Sequence, residues 1–490
     1  MKKVLAIDLG ASSGRGILAT YDNGKITLDE IHRFENNGIS VRGTLYWDII
    51  YLFNQIKQAI VNARLAGGFD CIGIDTWGVD FGIIDENGDL LSNPVHYRDT
   101  RTDNVLDEVF DKISKQDVYD RTGIQIMNFN TLFQMYYMAV YKKKTLSLAD
   151  KMLFIPDLLN YFLTGEKKSE YTIASTSQMI NPYTRQWDTE LLQKLDIPTD
   201  ILCDIVMPGE VVGQITPDIC DELSLQPTDV VAIGSHDTAS AIVSVPSEQK
   251  DFVYISCGTW SLFGTELDEP IISPEALKAS YTNEGGFGGK IRFLTNIMGL
   301  WIIQECRRTW KKQGNDLSFP EIVSYAEEAQ SFKCFIDPDY YEFGKPGNMP
   351  KKVQQYCEMT GQYVPQTIGE IARCIYESLA LKYRYAFDNL KKITGKDYNS
   401  IHILGGGANA ANLCQMTANA CGVSVWAGPT EATAVGNVAV QLIAKGEIKD
   451  IAEARKIIKD SFDVKEYVAK NTDVWNKAYG IYKSIIEQGM

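Results

Sequence analysis

At 490 residues the chain is too long for one ordinary domain, and two or three packed units are expected. Its 45% hydrophobic and 23% charged residues mark a globular protein and exclude a disordered, collagen-like or disulfide-stapled one. With 48 basic against 63 acidic residues the net charge is -15, and no Lys/Arg run exceeds Lys142-Lys143-Lys144, so nucleic acid is not an expected partner.

Met1-Lys2-Lys3 is followed by a short apolar run, Val4 to Ile7, that Asp8 interrupts, and no stretch reaches the ~20 apolar residues of a membrane span. A cytoplasmic protein with no membrane partner is the expectation. The 10 Cys include no Cys-x-x-Cys pair and the 4 His lie far apart, so a zinc site has no local signature. The thiols read as small buried hydrophobes, and spacing leaves open whether Cys357 and Cys374 meet.

Asn23-Gly24 and Asn87-Gly88 announce hairpins, and residues 4–34 read as strand, turn, strand, hairpin, strand. A helix is predicted over Ile49 to Leu65, a buried strand over Cys71 to Ile74 and a longer helical stretch over 103–163. The polar segment Val245 to Asp251 precedes a fresh strand, Phe252 to Ser256, so the domains are placed at 1–245 and 246–490, with that segment as a candidate hinge. The second half repeats the opening pattern: Val253 to Ser256, Cys257-Gly258-Thr259, then Trp260 to Phe263 parallels Val4 to Ile7, Asp8-Leu9-Gly10, then Gly16 to Leu18. Two α/β halves facing a cleft, with ligands at the strand ends, is one reading; chance likeness of two hairpins is the other.

Asp8-Leu9-Gly10-Ala11-Ser12-Ser13-Gly14-Arg15 sets a carboxylate at a strand end, then small residues whose N–H groups can form a nest for phosphate oxygens, then a cation. The same residues satisfy Gly-x-Ser-x-Gly with Ser12 central, but a nucleophile elbow needs a following helix, and the residues after Gly14 alternate. A phosphate loop is preferred to a plain tight turn and to a serine hydrolase using Ser12. No Gly-x4-Gly-Lys-[Ser/Thr] occurs. The segment Ile72 to Asp80 ends a strand with Asp75, Trp77 and Asp80, groups suited to a polyol, although a core Trp beside a turn fits as well. Val230 to Ile233 leads into Gly234-Ser235-His236-Asp237-Thr238. Adjacent side chains diverge, so these form no serine triad; Asp237 reads as a general base for one hydroxyl or as a helix N-cap. Gly405-Gly406-Gly407 after a strand offers N–H groups to a ligand. Only one strand follows, Val423 to Ala427, too little for a dinucleotide-binding sheet, so a mononucleotide contact is preferred.

In order along the chain, Asp8 to Arg15, Asp75 to Phe81, Tyr97 to Thr102, Ser235 to Ala241, Gly258 to Ser261, Asn296 to Trp301 and Gly405 to Gly407 resemble the FGGY family of sugar kinases. That family lies within the actin- and hexokinase-like ATPases, and the likeness is to its branch acting on L-rhamnulose. The resemblance implies an α/β fold of two actin/hexokinase-like (ribonuclease H-like) domains around a central cleft, with ATP and Mg²⁺ as cofactors. It places ATP phosphates at Ala11, Ser12, Ser13, Gly14, Arg15 and Thr259, and the adenosine end near Gly406 and Gln304. The sugar falls to Gly78, His236, Asp237, Thr238 and Asn296, with Asp237 as catalytic base and Asp8 as the metal-associated carboxylate. Asn296 and Gln304 are expected on one face of a single helix. The implied reaction is ATP-dependent phosphorylation of L-rhamnulose at its C1 hydroxyl, with Trp77 offering a face to the sugar. Many members carry a Lys and a Trp where this chain has Asn130 to Gln134, which argues against glycerol or xylulose. L-Fuculose and D-xylulose stand as alternative substrates, and a non-catalytic sugar and ATP sensor as an alternative class.

Overall fold

The alternating run at the amino terminus folds as β1 (Lys2–Leu9), β2 (Ser13–Asp22) and β3 (Lys25–Glu35), joined by tight turns. Asn23 and Gly24 both take positive φ, 51° and 74°, as a two-residue hairpin that follows the strand twist requires. Helix α1 (Ile49–Leu65) starts at Asp48, whose side chain accepts the Tyr51 N–H, and buries Leu52, Ile56, Ala59, Ile60 and Ala63 at helical spacing. Strand β4 (Cys71–Thr76) pairs parallel with β1, setting Asp8 opposite Asp75. The computed structural model describes residues 1–488.

The helical stretch predicted over 103–163 is broken. Helix Val105–Lys112 ends at an extended Ile113, helix Lys115–Thr122 starts at a Ser114 cap and ends at a left-handed Gly123, and after α2 (Thr131–Tyr141) the chain forms a strand, Lys151–Phe154, antiparallel to Phe81–Ile84. The apolar run Met152-Leu153-Phe154 is too short for periodicity to tell strand from helix, and strand pairing decides it. A short helix α3 (Tyr171–Ser175), strands β5 (Val211–Gln214) and β6 (Asp229–Val231), and helix α4 (Asp237–Val243) follow.

In the second half β7 (Val253–Cys257) and β8 (Trp260–Leu267) form an antiparallel pair, followed by β9 (Ile291–Met298) and helix α5 (Trp301–Lys312). Then come β10 (Ser400–Leu404), helix α6 (Ala411–Cys421), β11 (Ser424–Ala427), helix α7 (Ala432–Ala444) and β12 (Lys465–Tyr467).

The chain divides into two units. Unit 1 comprises Met1–Glu248, Glu266–Phe293 and Ala432–Phe462; unit 2 comprises Gln249–Thr265, Leu294–Glu431 and the chain from Asp463 on. In unit 1 the sheet order is β5-β6-β4-β1-β2-β3. Alternate residues of β1 feed two cores, as a pleated strand dictates: Leu5, Ile7 and Leu9 pack with α1, while Val4 and Ala6 pack with Val435, Val438 and Ala439 of α7. In unit 2, β10 runs parallel beside β7 just as β4 does beside β1, so the repeated strand–turn–strand pattern is matched in pairing as well as in sequence.

All 10 cysteines are free and buried. Cys357 and Cys374 do meet, with Cys334 as a third partner, the sulfur atoms lying within 4.8 Å of one another. No helix among the described residues is long and apolar enough to cross a membrane.

Candidate active site

The β1–β2 turn is built to remove carbonyls from its tip. Gly10 N–H donates to Ser13 O at 2.9 Å, and Asn36 caps two more carbonyls, its N–H on Ser12 O at 3.1 Å and its Nδ2 on Gly10 O at 2.8 Å. Ala11 and Ser12 remain exposed at the tip, where an anion meets N–H dipoles rather than competing oxygens. The Gly10 N–H, spent on Ser13, is no part of such a nest. Gly14 is required by packing, since a Cβ there would lie 2.2 Å from the Phe34 ring. A strand follows Ser12 and no helix does, so the elbow of a serine hydrolase is absent.

Asp8 and Arg15 are cross-strand partners and form an ion pair. Beside Asp8 on β4, Asp75 is wholly buried; Asn437 of α7 donates to its Oδ2 at 2.6 Å, and its Oδ1 has no hydrogen-bond partner. Burial holds the Asp75 carboxyl well above the usual carboxylate range, the charges of Asp8 and Asp237 add to this, and Asn437 and Arg15 oppose it. A buried amide relay holds Asn437: Gln441 Nε2 donates to its Oδ1 at 2.7 Å and to Leu5 O at 3.0 Å. Three carboxylates, Asp8, Asp75 and Asp237, thus share one neighbourhood with Arg15. Asp8 and Asp75, paired across β1 and β4, offer carboxylate oxygens of the kind a hard divalent cation takes, one of them buried without a hydrogen-bond partner.

The end of β4 is tied to the Ser235 segment by Thr76 N–H on Ser235 O at 2.9 Å. This brings Gly78 against His236: a Cβ on Gly78 would lie 3.4 Å from His236 Nε2. That nitrogen is 3.5 Å from Asp237 Oδ1, which also accepts from Thr238 Oγ1 at 3.1 Å. Asp237 is the first residue of α4 and His236 occupies the N-cap position without a side-chain cap, so the N-cap reading of Asp237 does not hold. The Asp237 side chain is 34% exposed, against 10% for His236, so the carboxylate is open to a ligand. Beneath it, buried Glu170 accepts from Ser235 N–H at 3.2 Å and from Thr172 Oγ1 at 2.6 Å; burial, outweighing these donors, pushes its carboxyl up to about 7.

Asp80 and Trp77 take roles different from the polyol contact considered above. Asp80 is a buried hub whose carboxylate accepts from Trp47 Nε1 at 2.7 Å, Trp77 Nε1 at 3.0 Å, Tyr97 N–H at 3.0 Å and Gln134 Nε2 at 3.2 Å. Burial pushes its carboxyl up to about 6. Trp77 packs on Trp47 with ring centroids 4.0 Å apart, a core position with no open face for a sugar. Between them Val79 takes φ +66°, a conformation rare for a β-branched residue. It is held there by Thr176 Oγ1, which accepts its N–H at 3.2 Å, and by Thr131 Oγ1, which donates to its carbonyl at 2.7 Å. Thr131 and Gln134, from the segment that departs from the family pattern, therefore shape the backbone beside Gly78.

In unit 2 the β7–β8 turn repeats the design of the first. Gly258 N–H is spent on Trp260 O at 2.8 Å, Gly258 O accepts from Leu300 at 3.0 Å, and Thr259 O accepts from Gly299 at 3.0 Å and Trp301 at 3.3 Å. Asn296 and Gln304 do not share a helix: Asn296 lies on β9 and Gln304 on α5, because Gly299 turns the chain between them. No larger residue fits at 299, since a Cβ would come 2.7 Å from both the Trp260 carbonyl carbon and Ser261 Oγ. Gly405 takes φ +73° and donates to Pro429 O at 3.1 Å; Gly406 is exposed with nothing within 4 Å of a Cβ position; Gly407 abuts Cys257, whose Sγ would lie 2.3 Å from a Cβ. Unit 1 thus gathers Asp8, the Ala11 to Arg15 loop, Gly78 and His236-Asp237-Thr238, while Thr259, Asn296, Gln304 and Gly406 belong to unit 2.

Residues 3–244 match the N-terminal domain of the FGGY family of carbohydrate kinases and residues 253–445 its C-terminal domain. The chain is 42% identical over 482 residues to a rhamnulokinase of Bacteroides thetaiotaomicron, covering 98% of this chain and 99% of that one. It is 41% identical over 469 residues to a rhamnulokinase of Bacillus subtilis, covering 96% of each. Among solved structures it is similar to a ligand-bound xylulose kinase from Lactobacillus acidophilus, with TM-score 0.82, 19% identity and coverage of 100% of this chain and 98% of that one.

Proposed function

The chain belongs to the FGGY family of carbohydrate kinases, with its actin/hexokinase-like two-domain α/β fold, and from that premise we propose that it transfers the γ-phosphoryl group of ATP to the C1 hydroxyl of L-rhamnulose. The products are L-rhamnulose 1-phosphate and ADP. The observation that carries the chemistry is the Asp237 carboxylate, open to a ligand and flanked by His236, Thr238 and Gly78 in the same carboxylate neighbourhood as Asp8. The choice of sugar rests on the full-length likeness to rhamnulokinases.

Asp237 accepts the proton of the C1 hydroxyl as the oxygen bonds to phosphorus. Thr238 donates to Oδ1, which leaves Oδ2 to take the proton. Most of the rate comes from positioning and charge neutralisation, since phosphoryl transfer leaves little covalent work for the protein. Ala11, Ser12, Ser13, Gly14 and Arg15, and in unit 2 Thr259, receive the phosphates; Gly406 and Gln304 receive the adenosine end, and Asn296 the sugar. Asp8, with Asp75 beside it, would hold Mg²⁺, which when bound offsets charge on the phosphate oxygens. The reaction belongs to the cytoplasm, where ATP is supplied.

The test is ADP release across L-rhamnulose, L-fuculose, D-xylulose, L-ribulose and glycerol. L-Rhamnulose is expected to give the highest kcat/KM, and equal or better turnover of glycerol or D-xylulose would defeat the assignment.

A further inference from the structure

His236 is gripped from behind by a fully buried cation. Arg292, 0% exposed, donates its Nε–H to Gly285 O at 2.7 Å, pairs with Glu284 at 3.1 Å and directs an N–H of NH2 at His236 Nδ1 across 3.1 Å. A Glu284 oxygen lies 3.3 Å from the same Nδ1, but Glu284 Oε2 receives no aligned hydrogen bond. Direction decides between these two neighbours. A guanidinium has only donors and keeps its protons in a protein, so the nitrogen it points at must supply a lone pair.

We infer that Arg292 is a positioning residue that locks His236 in the neutral tautomer with its proton on Nε2. The outward nitrogen, beside Gly78 and 3.5 Å from Asp237 Oδ1, is then a fixed hydrogen-bond donor. Glu284 supplies the opposite charge that offsets the cost of burying the guanidinium. Although burial acts to raise the Glu284 carboxyl, the Arg292 guanidinium draws it below its usual range, which keeps the compensating charge in place. The charged groups facing the imidazole are therefore Arg292 and Glu284 on one side and Asp237 on the other.

A donor at Nε2 sets the chemical class that this corner accepts. It favours a ligand atom with a lone pair, a ketose hydroxyl or carbonyl oxygen, and rejects an ammonium group, whose N–H bonds would meet it head-on. This specificity rests on the reading of His236 as a sugar contact; the tautomer does not.

The test uses the full-length protein with histidine-selective ring ¹⁵N labelling and long-range ¹H–¹⁵N correlation. Only 4 His contribute signals, and His236→Gln identifies the one in question. The wild type is expected to show an unprotonated Nδ1 and a protonated Nε2, and a protonated Nδ1 would overturn the assignment. Arg292→Met should move the proton to Nδ1, towards Glu284, while Glu284→Gln should leave it on Nε2; loss of the Nε2 proton in Glu284→Gln would name Glu284, and not Arg292, as the lock. Should Arg292→Met fail to fold, the wild-type and Glu284→Gln spectra still decide. In kinetics, Arg292→Met should raise KM for the ketose at least about tenfold, with kcat and KM for ATP changed less than about threefold. An unchanged ketose KM beside a shifted tautomer overturns the specificity alone, and failure of every ketose in the substrate panel refutes the kinase reading while the spectra stand.

Discussion

Gly436 of α7 faces the backbone of α4 so closely that a Cβ there would lie 1.7 Å from the Ser240 carbonyl oxygen. A relaxed carbon–oxygen contact is about 3.3 Å, so Gly436→Ala must part the two helices by roughly 1.5 Å. Helix propensity alone favours Ala over Gly by about 1 kcal/mol. Overpacking costs about 1–3 kcal/mol, and a clash with backbone, which cannot rotate away, lies at or above the top of that range. The net expectation is a loss of about 2 kcal/mol, or about 3 °C in apparent Tm for a unit of this size. Function should suffer more, because α4 begins at Asp237. Displacing a reacting group by about 1 Å costs on the order of 100-fold in rate. The assays are ADP release with L-rhamnulose and calorimetric unfolding of the same preparation. An Ala variant with wild-type kcat and an unchanged or raised Tm would show that propensity outweighs the clash, and would refute the claim that α7 sets the position of the proposed base.

Asp237→Asn should leave less than a tenth of wild-type kcat, a loss above about 1.4 kcal/mol, with ATP affinity by titration calorimetry within about twofold; greater residual turnover rejects Asp237 as the base. Asn36→Ala strips Gly10 O of its donor, at about 1–3 kcal/mol, and should raise KM for ATP about tenfold while sparing the ketose KM; an unchanged ATP KM would mean that the loop carbonyls are irrelevant to phosphate binding. Glu170 makes stability depend on pH. Its carboxyl rises from 4.5 to about 7 on folding, so across that window the folded chain keeps a proton that the unfolded chain has lost, and unfolding free energy falls as pH rises, by about 3 kcal/mol in all. Glu170→Gln should be less stable throughout, since an amide N–H₂ faces N–H donors, yet it should lose that slope. Denaturant titrations at about pH 5.5, 6.5 and 7.5 check this, and a constant gap between wild type and variant counts against the assignment.

The parts of the site legible in the sequence are those written in local punctuation. The β1–β2 and β7–β8 turns, the strand before Asp75 and the Gly405 to Gly407 turn each place small residues directly after a short apolar strand, and each folds as that pattern suggests. What the sequence hid is what acts across long separations. Asn36 capping Gly10, Asn437 on Asp75 and Arg292 behind His236 are single polar residues, with no motif to mark them as partners until the strands are assembled. The single helix expected to carry both Asn296 and Gln304 does not form, because the close approach of Gly299 to Trp260 and Ser261 makes that glycine a corner, which an eight-residue spacing does not reveal. Trp77 and Asp80 were ambiguous for a related reason: an indole and a carboxylate suit a sugar and a buried hub equally, and only the four donors around Asp80 decide.

Helix α7 reaches unit 1 late in the chain, and synthesis must reckon with that delay. The first stretch of unit 1 ends at Glu248, whereas Ala432–Phe462 completes it. At about 5–20 residues per second the ribosome needs roughly 10–40 s to bridge that gap. Throughout the interval Val4, Ala6, Ile17 and Cys71 wait without the Val435, Val438 and Ala439 face that buries them. The nascent chain therefore displays a sticky sheet for more than a third of its synthesis, a natural substrate for chaperones that shield apolar surface. A fragment ending near residue 245 should aggregate rather than fold, and the proposed base should acquire its fixed position only once the last fifth of the chain has emerged.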